Sequence, residues 1–426
     1  MLSKTIVPKA SSAVNVGGGG VIDGIARKLV SAGLKRITEG GLELVEGEHH
    51  LRCGDRNAAE ETTALIRVLD PRFYRAVAWG GTLGAGEAYI RGWWDCADLT
   101  TLIRILIRNH DAFSELNGSR TRLSGLAQWA WHAFRRNTLN GSRKNISAHY
   151  DLSNDFYQLF LDKTMTYSCG IFESQESTLQ EASVAKLDRI CRKLALTLDD
   201  HVIEIGTGWG SFAIHAAKNY GCRVTTTTIS EKQYQLAHTR IENAGLSDRI
   251  TLLRTDYRKL TGQYDKLVSI EMIEAIGWQQ YPNFFKQCAA LLKPDGLACI
   301  QAITKADRYY EESKREVDFI KRYVFPGSCI PSIASMTEAV AKASDLTLGH
   351  MEDITPHYAT TLRCWRDRFN DRLPEVRSLG FSETFIRMWE YYLCYCEAGF
   401  HERVIGDVQM VLTKPRFSGA LPMGVL

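Results

Sequence analysis

Short apolar, β-branched runs recur between residues 200 and 305, and stretches with helical spacing of apolar residues separate them. The first run covers 202–205 and ends in glycines at alternate positions, which a helical pattern follows. The later runs cover 223–229, 250–253, 264–271 and 296–303. Strands that alternate with helices predict a parallel sheet with helices packed on its faces. The pattern therefore predicts an α/β, Rossmann-like domain.

The glycine loop at Gly206, Gly208 and Gly210 is typical of a loop that lies directly against a ligand. Glycine permits the tight turn, and the helix that follows presents free N–H groups. Dinucleotide-binding domains and methyltransferases both use such a loop, so the loop alone leaves both open. A nicotinamide site usually has an acid at the end of the second strand, whereas 228–233 supplies mainly hydroxyl and amide groups. The strand order favours the S-adenosylmethionine-dependent methyltransferase fold, with a nicotinamide-binding domain as the alternative.

Composition divides the chain into three parts. Residues 1–20 end in four glycines and are expected to be flexible. Residues 21–140 are expected to form a smaller N-terminal accessory domain, and 141–426 the catalytic domain. Apolar residues at helical spacing over 21–37 have basic neighbours, which suits either an anionic membrane surface or a packed helix. The tryptophans and arginines of 128–136 leave the same two alternatives open.

Two segments of the predicted catalytic domain do not follow the strand–helix pattern. Aromatic and polar residues alternate irregularly over 147–172, which is typical of a lid over the ligand rather than of a core helix. Residues 305–400 form a helical insertion that is dense in aromatic residues. Such an aromatic region suits a substrate-binding tunnel for an acyl chain, and a tightly packed helical subdomain would have the same composition.

Charge and cysteine content narrow the function classes. A net charge of +3 over 426 residues is too small to predict binding of nucleic acid. The eleven cysteines have neither CxxC pairs nor metal-ligand spacing, so reduced thiols and no metal site are expected. The chain has no apolar run of about 20 residues and no secretory signal. These features predict a cytoplasmic protein.

Several separate motifs resemble those of the cyclopropane-fatty-acyl-phospholipid synthase family and its mycolic-acid-modifying relatives. The match runs from about 42 to 417, and its most specific motifs lie at 149–156, 167–169, 204–210, 323–327 and 358–362. The resemblance implies that the methyl group of S-adenosylmethionine is transferred to a cis double bond of a phospholipid acyl chain, which then closes to a cyclopropane. It also implies a peripheral enzyme at the inner face of the membrane, acting on unsaturated phospholipids, and a homodimer formed through the accessory domain.

The resemblance further implies a bound bicarbonate as the base that removes a proton from the transferred methyl group. Carried over to this chain, the bicarbonate pocket would consist of Cys169, Glu274 and Tyr358, with Gln301 on the fifth strand. No histidine lies near Cys169 in sequence to activate it as a nucleophile. The cofactor site would combine residues of the lid, the glycine loop and the strand ends: Tyr167, Ser168, Glu204, Gly206, Gly208, Gly210, Thr228, Ile229, Gln233, Asp256 and Tyr257.

Two positions depart from the pattern of that family. Ala275 follows Glu274 where many members have histidine, and Gln301 stands where many have a second histidine. Glutamine donates and accepts hydrogen bonds but does not take up a proton near neutral pH, so no histidine proton shuttle is expected at that position. The product is left open between a cyclopropane and a methyl- or methylene-branched chain without ring closure. A lipid-binding protein with no turnover is the non-enzymatic alternative.

Overall fold

The computed structural model describes residues 21–55, 59, 62–110 and 152–421. The predictions for 1–20, for the tryptophan-rich segment 128–136 and for the beginning of the 149–156 motif lie outside the described residues. Within those ranges the strands form two β-sheets. None of the helices described there combines the length and the apolar character that crossing a bilayer requires.

The N-terminal part combines a small sheet with three described helices. In chain order the elements are α1 (Val21–Leu34), β1 (Gly41–Glu46), β2 (His49–Gly54), β3 (Thr63–Val68), α2 (Arg72–Ile90), β4 (Trp94–Cys96) and α3 (Leu99–Arg108). The strand order is β2-β1-β3-β4, and the pairing of β1 with β3 is parallel. α2 departs from helical dihedral angles at Gly81, where φ is 56°. The glycine-rich region around 80 is therefore a kinked helix.

A seven-stranded sheet lies at the centre of the C-terminal part. Its strands and flanking helices are α4 (Asn154–Phe160), α5 (Leu179–Lys193), β5 (His201–Ile205), α6 (Ser211–Tyr220), β6 (Arg223–Thr227), α7 (Glu231–Asn243), β7 (Ile250–Leu253), β8 (Tyr264–Ile270), α8 (Tyr281–Leu291), β9 (Leu292–Lys305), β10 (Thr347–Asp353) and β11 (Ile405–Thr413). The order is β10-β11-β9-β8-β5-β6-β7. β5 to β9 are parallel, and β10 and β11 are antiparallel to their neighbours. The predicted Rossmann-like α/β fold is confirmed.

Side-chain caps determine where the helices begin. Thr178 accepts the N–H of Glu181, whose carboxylate accepts the N–H of Thr178 in turn, and this capping box starts α5. Ser230 caps α7, and Asp98 caps α3. α6 begins differently, at Gly210, which has a left-handed conformation and no side chain to form a cap. Because no side chain caps α6, the N–H groups of its first turn remain available to a ligand at the glycine loop.

The region between β9 and β11 is mainly helical, as predicted, but it also contains a strand. Its helices are α9 (Asp307–Ser313), a π-helical turn (Ile320–Val324), α10 (Ile333–Ala343), α11 (Thr355–Asp371), α12 (Leu373–Ser378) and α13 (Glu383–His401). The pattern does not predict β10, because this exposed edge strand has few apolar residues. It does not predict β11 either, because buried Asp407 and Gln409 interrupt its apolar run.

α13 packs against α2 and α3 of the accessory part and against α11. Trp365 of α11 and Trp389 of α13 are almost fully buried in this layer. Arg366 Nη1 lies 2.8 Å from Glu397 Oε2, and Thr100 of α3 donates a hydrogen bond of 3.2 Å to the same carboxylate oxygen. The described accessory elements and the helical layer thus share one apolar cluster. The boundary predicted at 140 lies outside the described residues.

The aromatic side chains of the insertion pack against one another. The ring centroids of Phe319 and Tyr391 are 4.6 Å apart, and those of Trp389 and Tyr392 are 5.1 Å apart. All four side chains are buried. These contacts agree with the packed-subdomain alternative, and a tunnel through this region stays a prediction.

Candidate active site

An open cavity lies at the carboxyl ends of β5, β6, β7 and β8, where open α/β sheets bind their ligands. It contains about 1190 Å³ of empty space counted out to its mouth. This is ample for a small-molecule site. Ten of the predicted cofactor residues line it: Tyr167, Ser168, Glu204, Gly206, Gly208, Thr228, Ile229, Gln233, Asp256 and Tyr257.

Two of the three glycines in the loop, Gly206 and Gly208, line the cavity. Gly206 and Gly208 have φ values of 101° and 53°, in the left-handed region that favours glycine. A Cβ atom at Gly208 would meet no other atom within 4 Å, so a side chain there would extend into the cavity that the residue lines. A Cβ atom at Gly210 would instead contact Ile214 and Ala237. Gly210 is not among the described residues that line the cavity, and its cofactor role stays a prediction.

Glu204, the acid on β5, supplies a buried carboxylate to the cavity wall. Thr226 Oγ1 donates a hydrogen bond of 2.5 Å to Glu204 Oε2. Burial raises the pKa of Glu204 to about 7, although the hydrogen bond from Thr226 and the charge of Lys186 oppose the shift. Lys186 Nζ, also buried, donates to Ser168 Oγ at 2.8 Å. A carboxylate in this position suits the positively charged amino group of S-adenosylmethionine.

The ends of β6 and β7 supply hydroxyl, amide and aromatic groups to the cavity. Thr228 Oγ1 donates a hydrogen bond of 2.8 Å to Gln233 Oε1. Asp256 Oδ2 accepts a hydrogen bond of 2.7 Å from Arg258, which the sequence pattern does not predict. The Tyr257 ring is buried beside Asp256. A hydrogen-bond acceptor and an aromatic ring, which together suit an adenine, therefore lie at this end of the cavity.

The described part of the lid joins the cavity to the helical layer. The Tyr167 hydroxyl is 2.8 Å from the Tyr392 hydroxyl, and the Tyr167 ring stacks on Trp365 with centroids 5.0 Å apart. Residues 165–168 line the cavity. An aromatic surface thus lies beside the ligand site, in agreement with the predicted lid.

Glu271, the residue directly after β8, also lines the cavity. Three donors from different segments converge on its carboxylate. The Cys169 N–H and Gln301 Nε2 each donate to Oε1 at 2.8 Å, and the Tyr358 hydroxyl donates to Oε2 at 2.5 Å. The φ of Glu271 is 48°, an uncommon value for a residue other than glycine. A strained backbone of this kind is typical of functional positions.

A chain of buried polar groups orients Gln301. Lys193 Nζ donates to Gln409 Oε1 at 2.7 Å, and Gln409 Nε2 donates to Gln301 Oε1 at 3.0 Å. Because an ammonium group can only donate, this order determines which end of each amide faces the next group. Gln301 therefore presents its N–H groups to Glu271 and, at 3.1 Å, to Asp407 Oδ2.

Glu274, the predicted catalytic acid, lies beside this cluster rather than in it. Its Oε1 accepts the N–H of Ile303 at 2.6 Å, and its Oε2 has no hydrogen-bond partner among the described residues. Burial, followed by the charge of Glu271, raises the pKa of Glu274 to about 8. Glu274 is therefore mostly protonated at neutral pH. It is not among the described residues that line the cavity.

Cys169 contributes its backbone to the site. Its thiol is fully buried, and burial, followed by the charges of Asp407 and Glu271, raises the pKa of the thiol well above its usual range. A thiol that keeps its proton is a poor nucleophile. This agrees with the interpretation that Cys169 is not a nucleophile, and its N–H group is the part that contacts Glu271.

Three residues of the cluster are not found by sequence reasoning. For Glu271, the sequence shows only that an acid stands at the end of the apolar run 264–271. Asp407 and Gln409 belong to β11, which the pattern does not predict, so nothing in the sequence places them beside Gln301. Their role depends on the antiparallel register of β11 with β9.

Comparison with known proteins identifies the family. A family model described as mycolic acid cyclopropane synthetase matches residues 137–410. The chain belongs to the mycolic acid cyclopropane synthetase family. Tuberculostearic acid methyltransferase UfaA1 from Mycobacterium tuberculosis is 36% identical over 348 residues, which cover 80% of this chain and 81% of that protein. Cyclopropane-fatty-acyl-phospholipid synthase from Escherichia coli is 33% identical over 352 residues, which cover 82% of this chain and 87% of that protein.

A solved structure of the family agrees with the fold and the cosubstrate. Mycolic acid cyclopropane synthase CmaA1, crystallised in complex with SAH and CTAB, matches with a TM-score of 0.60 and 31% sequence identity. The match covers 64% of this chain and 98% of that chain. As a member of the mycolic acid cyclopropane synthetase family, the protein is an S-adenosylmethionine-dependent methyltransferase that methylates or cyclopropanates lipid acyl chains.

Proposed function

We propose that the protein transfers the methyl group of S-adenosylmethionine to a cis double bond in an acyl chain of a membrane phospholipid and then closes a cyclopropane ring. The observation that carries the proposal is the position of Glu271. This half-buried carboxylate lines the same cavity as the glycine loop. The loop suits the cofactor, and a carboxylate can accept the proton that must leave before a ring can close.

The chemistry explains why a closed, partly aromatic site is needed. An alkene is a weak nucleophile, so the methyl group must be held in line with it and out of water. The alkene electron pair forms the new carbon–carbon bond, and the carbon–sulfur bond breaks with its pair on sulfur. The chain then carries a carbocation, which aromatic faces stabilise. Tyr167, which lines the cavity and stacks on Trp365, supplies such a face.

Methylation without ring closure is the second candidate. The relative with 36% identity is named a tuberculostearic acid methyltransferase, not a cyclopropane synthase. The same carbocation that closes to a ring can instead lose a proton to form a double bond, giving a methylene- or methyl-branched chain. Both products require a proton acceptor beside the chain, so Glu271 supports both.

Membrane docking through the accessory part belongs to the same proposal. Ile22 and Ile25 on α1 and Trp79 on α2 are exposed, and Arg75 of α2 forms an ion pair of 2.8 Å with Asp23 of α1. Exposed apolar side chains on adjacent helices with basic neighbours suit the interface of an anionic bilayer. The enzyme would then work at the inner, cytoplasmic face of the membrane. A homodimer formed through the accessory part is proposed from the family resemblance alone.

The test uses the purified protein, S-adenosylmethionine labelled in the methyl carbon, and liposomes of a cis-unsaturated phospholipid. Label is expected in lipid extracts from these liposomes and not from saturated liposomes with the same head group. NMR spectra of the product distinguish a ring methylene from an exocyclic methylene or a methyl branch. If the protein binds S-adenosylmethionine but labels no lipid, it is a binding protein and the proposal fails.

A further inference from the structure

The donors that the family resemblance assigns to bicarbonate already bind a side chain. Cys169, Tyr358 and Gln301 all donate to the Glu271 carboxylate. A bicarbonate ion would have to displace Glu271 or share the pocket with its charge. Two anions in one buried site strongly disfavour each other. The residues present therefore do not fit a bound bicarbonate.

The charges around the pocket agree with this conclusion. Burial, followed by the charge of Glu271, raises the pKa of Asp407 well above its usual range, so Asp407 keeps its proton. Glu274 is a further acid close enough for the charge of Glu271 to affect it. Burial also raises the pKa of Glu271, but the hydrogen bonds from Tyr358 and Cys169 and the charge of Lys186 favour its ionised form. These contacts therefore favour a neutral, protonated Asp407 next to an ionised Glu271.

We propose that the Glu271 carboxylate takes the place of bicarbonate and removes the proton from the transferred methyl group. The proposal rests on the proposed function. Glu271 lines the cavity, whereas its neighbours Asp407 and Glu274 are not among the described residues that do so. The donors from the lid, α11 and β9 hold the carboxylate in one orientation toward the ligand. A base attached to the chain is present in every turnover and needs no dissolved anion.

The step balances without a further reactant. One C–H bond of the transferred methyl group breaks, and its electron pair forms the second carbon–carbon bond of the ring. The proton goes to Glu271, which becomes a neutral acid and later releases the proton to water. The sum is alkene plus S-adenosylmethionine to cyclopropane, S-adenosylhomocysteine and one proton.

Two other roles for Glu271 predict different results. If the carboxylate bound the charge of the sulfonium group, its removal would raise the dissociation constant for S-adenosylmethionine. A carboxylate that only braces the fold would lower the melting temperature, and no added anion would compensate for its loss. A base lowers turnover, leaves cofactor affinity unchanged, and can be replaced by a small external base.

The experiment compares Glu271→Gln and Glu271→Gly with the unaltered protein in buffer freed of carbon dioxide. Glutamine keeps the size of the side chain but cannot take the proton, and glycine suits the φ of 48° while opening the pocket. We expect full turnover of the unaltered protein without bicarbonate. The glutamine variant should lose about 100-fold or more in turnover while its affinity for S-adenosylmethionine stays the same. Added bicarbonate should restore turnover to the glycine variant and not to the glutamine variant.

Opposite results overturn the proposal. The proposal is wrong if the unaltered protein turns over only when bicarbonate is added. It is also wrong if the turnover of the glutamine variant stays within about threefold of that of the unaltered protein. Glu397→Gln is the matched control, because it changes a buried carboxylate paired with Arg366 away from the cavity. We expect it to lower stability without creating a response to bicarbonate. Failure of the proposed function is distinguishable, since the unaltered protein would then label no unsaturated lipid at all.

Discussion

Gln409 Nε2 donates a hydrogen bond of 3.0 Å to Gln301 Oε1 and so determines that the amide nitrogen of Gln301 faces Glu271. If the Gln301 amide turned over, its oxygen would face the carboxylate, and two acceptors would meet in a buried site. The orientation of a cavity-lining carboxylate thus depends on a β11 residue that is not among the described residues lining the cavity.

Gln409→Met is therefore expected to lower turnover about tenfold, because the Gln301 amide loses the group that orients it. The dissociation constant for S-adenosylmethionine should not change, since Gln409 is remote from the glycine loop. The measurement is a comparison of kcat with the calorimetric dissociation constant.

Gln287→Met is the control for this prediction. Gln287 Nε2 donates a hydrogen bond of 2.8 Å to the Leu260 carbonyl, so its loss also removes a half-buried amide hydrogen bond. Gln287 is not among the described residues that line the cavity. Its turnover should stay normal. If both variants lost turnover equally, general destabilisation would explain the effect and the orienting role of Gln409 would be wrong.

Gly208→Val is expected to prevent cofactor binding. Valine at a φ of 53° is strained, and its side chain would extend into the cavity. Gly245→Val is a matched control, because Gly245 has a φ of 67°, has open space around it and lies in the exposed turn before β7. Both variants should lose stability, but only Gly208→Val should lose affinity in a titration with S-adenosylhomocysteine. Normal affinity of Gly208→Val would mean that the loop does not contact the cofactor.

Affinity for S-adenosylmethionine is expected to fall as the pH drops through about 7. Burial raises the pKa of Glu204 to about 7, so below that pH the carboxyl becomes neutral and no longer attracts the amino group of the ligand. The dissociation constant should rise by up to about tenfold per pH unit below the pKa. Calorimetry at about pH 6 and about pH 8 measures the effect.

Two controls test the assignment of that effect to Glu204. Glu204→Gln should bind more weakly and show little dependence on pH in the same range. The ligand 5′-methylthioadenosine has no amino group, so its affinity should not change as Glu204 titrates. An equal pH dependence for both ligands would show that another group is responsible.

Glu274→Gln is expected to make stability less sensitive to pH. The pKa of Glu274 rises from its usual 4.5 to about 8 in the folded protein, mainly because burial penalises the charged form. The protonated folded form is therefore favoured below pH 4.5, and that contribution to stability is lost as the pH rises through 8. Glutamine keeps the acceptor for the Ile303 N–H and does not titrate. The difference in melting temperature, variant minus unaltered protein, should increase by roughly a few degrees between about pH 4.5 and about pH 8. If this difference stayed constant, the titration of Glu274 would not contribute to stability.

Ile25→Glu is expected to weaken binding to anionic liposomes in a flotation assay without lowering turnover on detergent-dispersed lipid. Ile25 is exposed on α1, and a charge there would oppose insertion into the bilayer interface. Leu198→Glu, at an exposed apolar position outside the accessory part, is the control and should bind liposomes normally. Equal losses in both variants would place the docking surface elsewhere.

The strands of the Rossmann-like core and the cofactor end of the site were predictable, because the residues that define each of them are close together in sequence. The predicted strand at 250–253 has the bounds of β7, and the run at 202–205 differs from β5 by one residue. Gly206, Gly208 and Glu204 lie within one motif, so the chain itself keeps them together. Spacing alone does not show that a side chain at Gly210 would contact Ala237 of α7, so the sequence treats the three glycines alike.

The catalytic end was predictable only in part. Cys169, Tyr358 and Gln301 lie together, as the resemblance implied, and all three donate hydrogen bonds to Glu271, which the resemblance did not single out. The contacts join the lid, α11 and β9, and their meeting point follows from tertiary packing. Glu274 matches a motif position, yet its hydrogen bond goes to the backbone of β9.

The accessory part contacts α13 through polar side chains as well as through the shared apolar cluster. Tyr89 donates to Glu390, Thr100 donates to Glu397, and Arg104 pairs with Glu402, so two carboxylates of α13 and the one directly after it have their partners in α2 and α3. A fragment that began after the accessory part would leave these acids and the apolar face between them in water. Shortening the gene to its catalytic part should therefore yield insoluble product, and crystallographers or enzyme engineers would need to retain the N-terminal third.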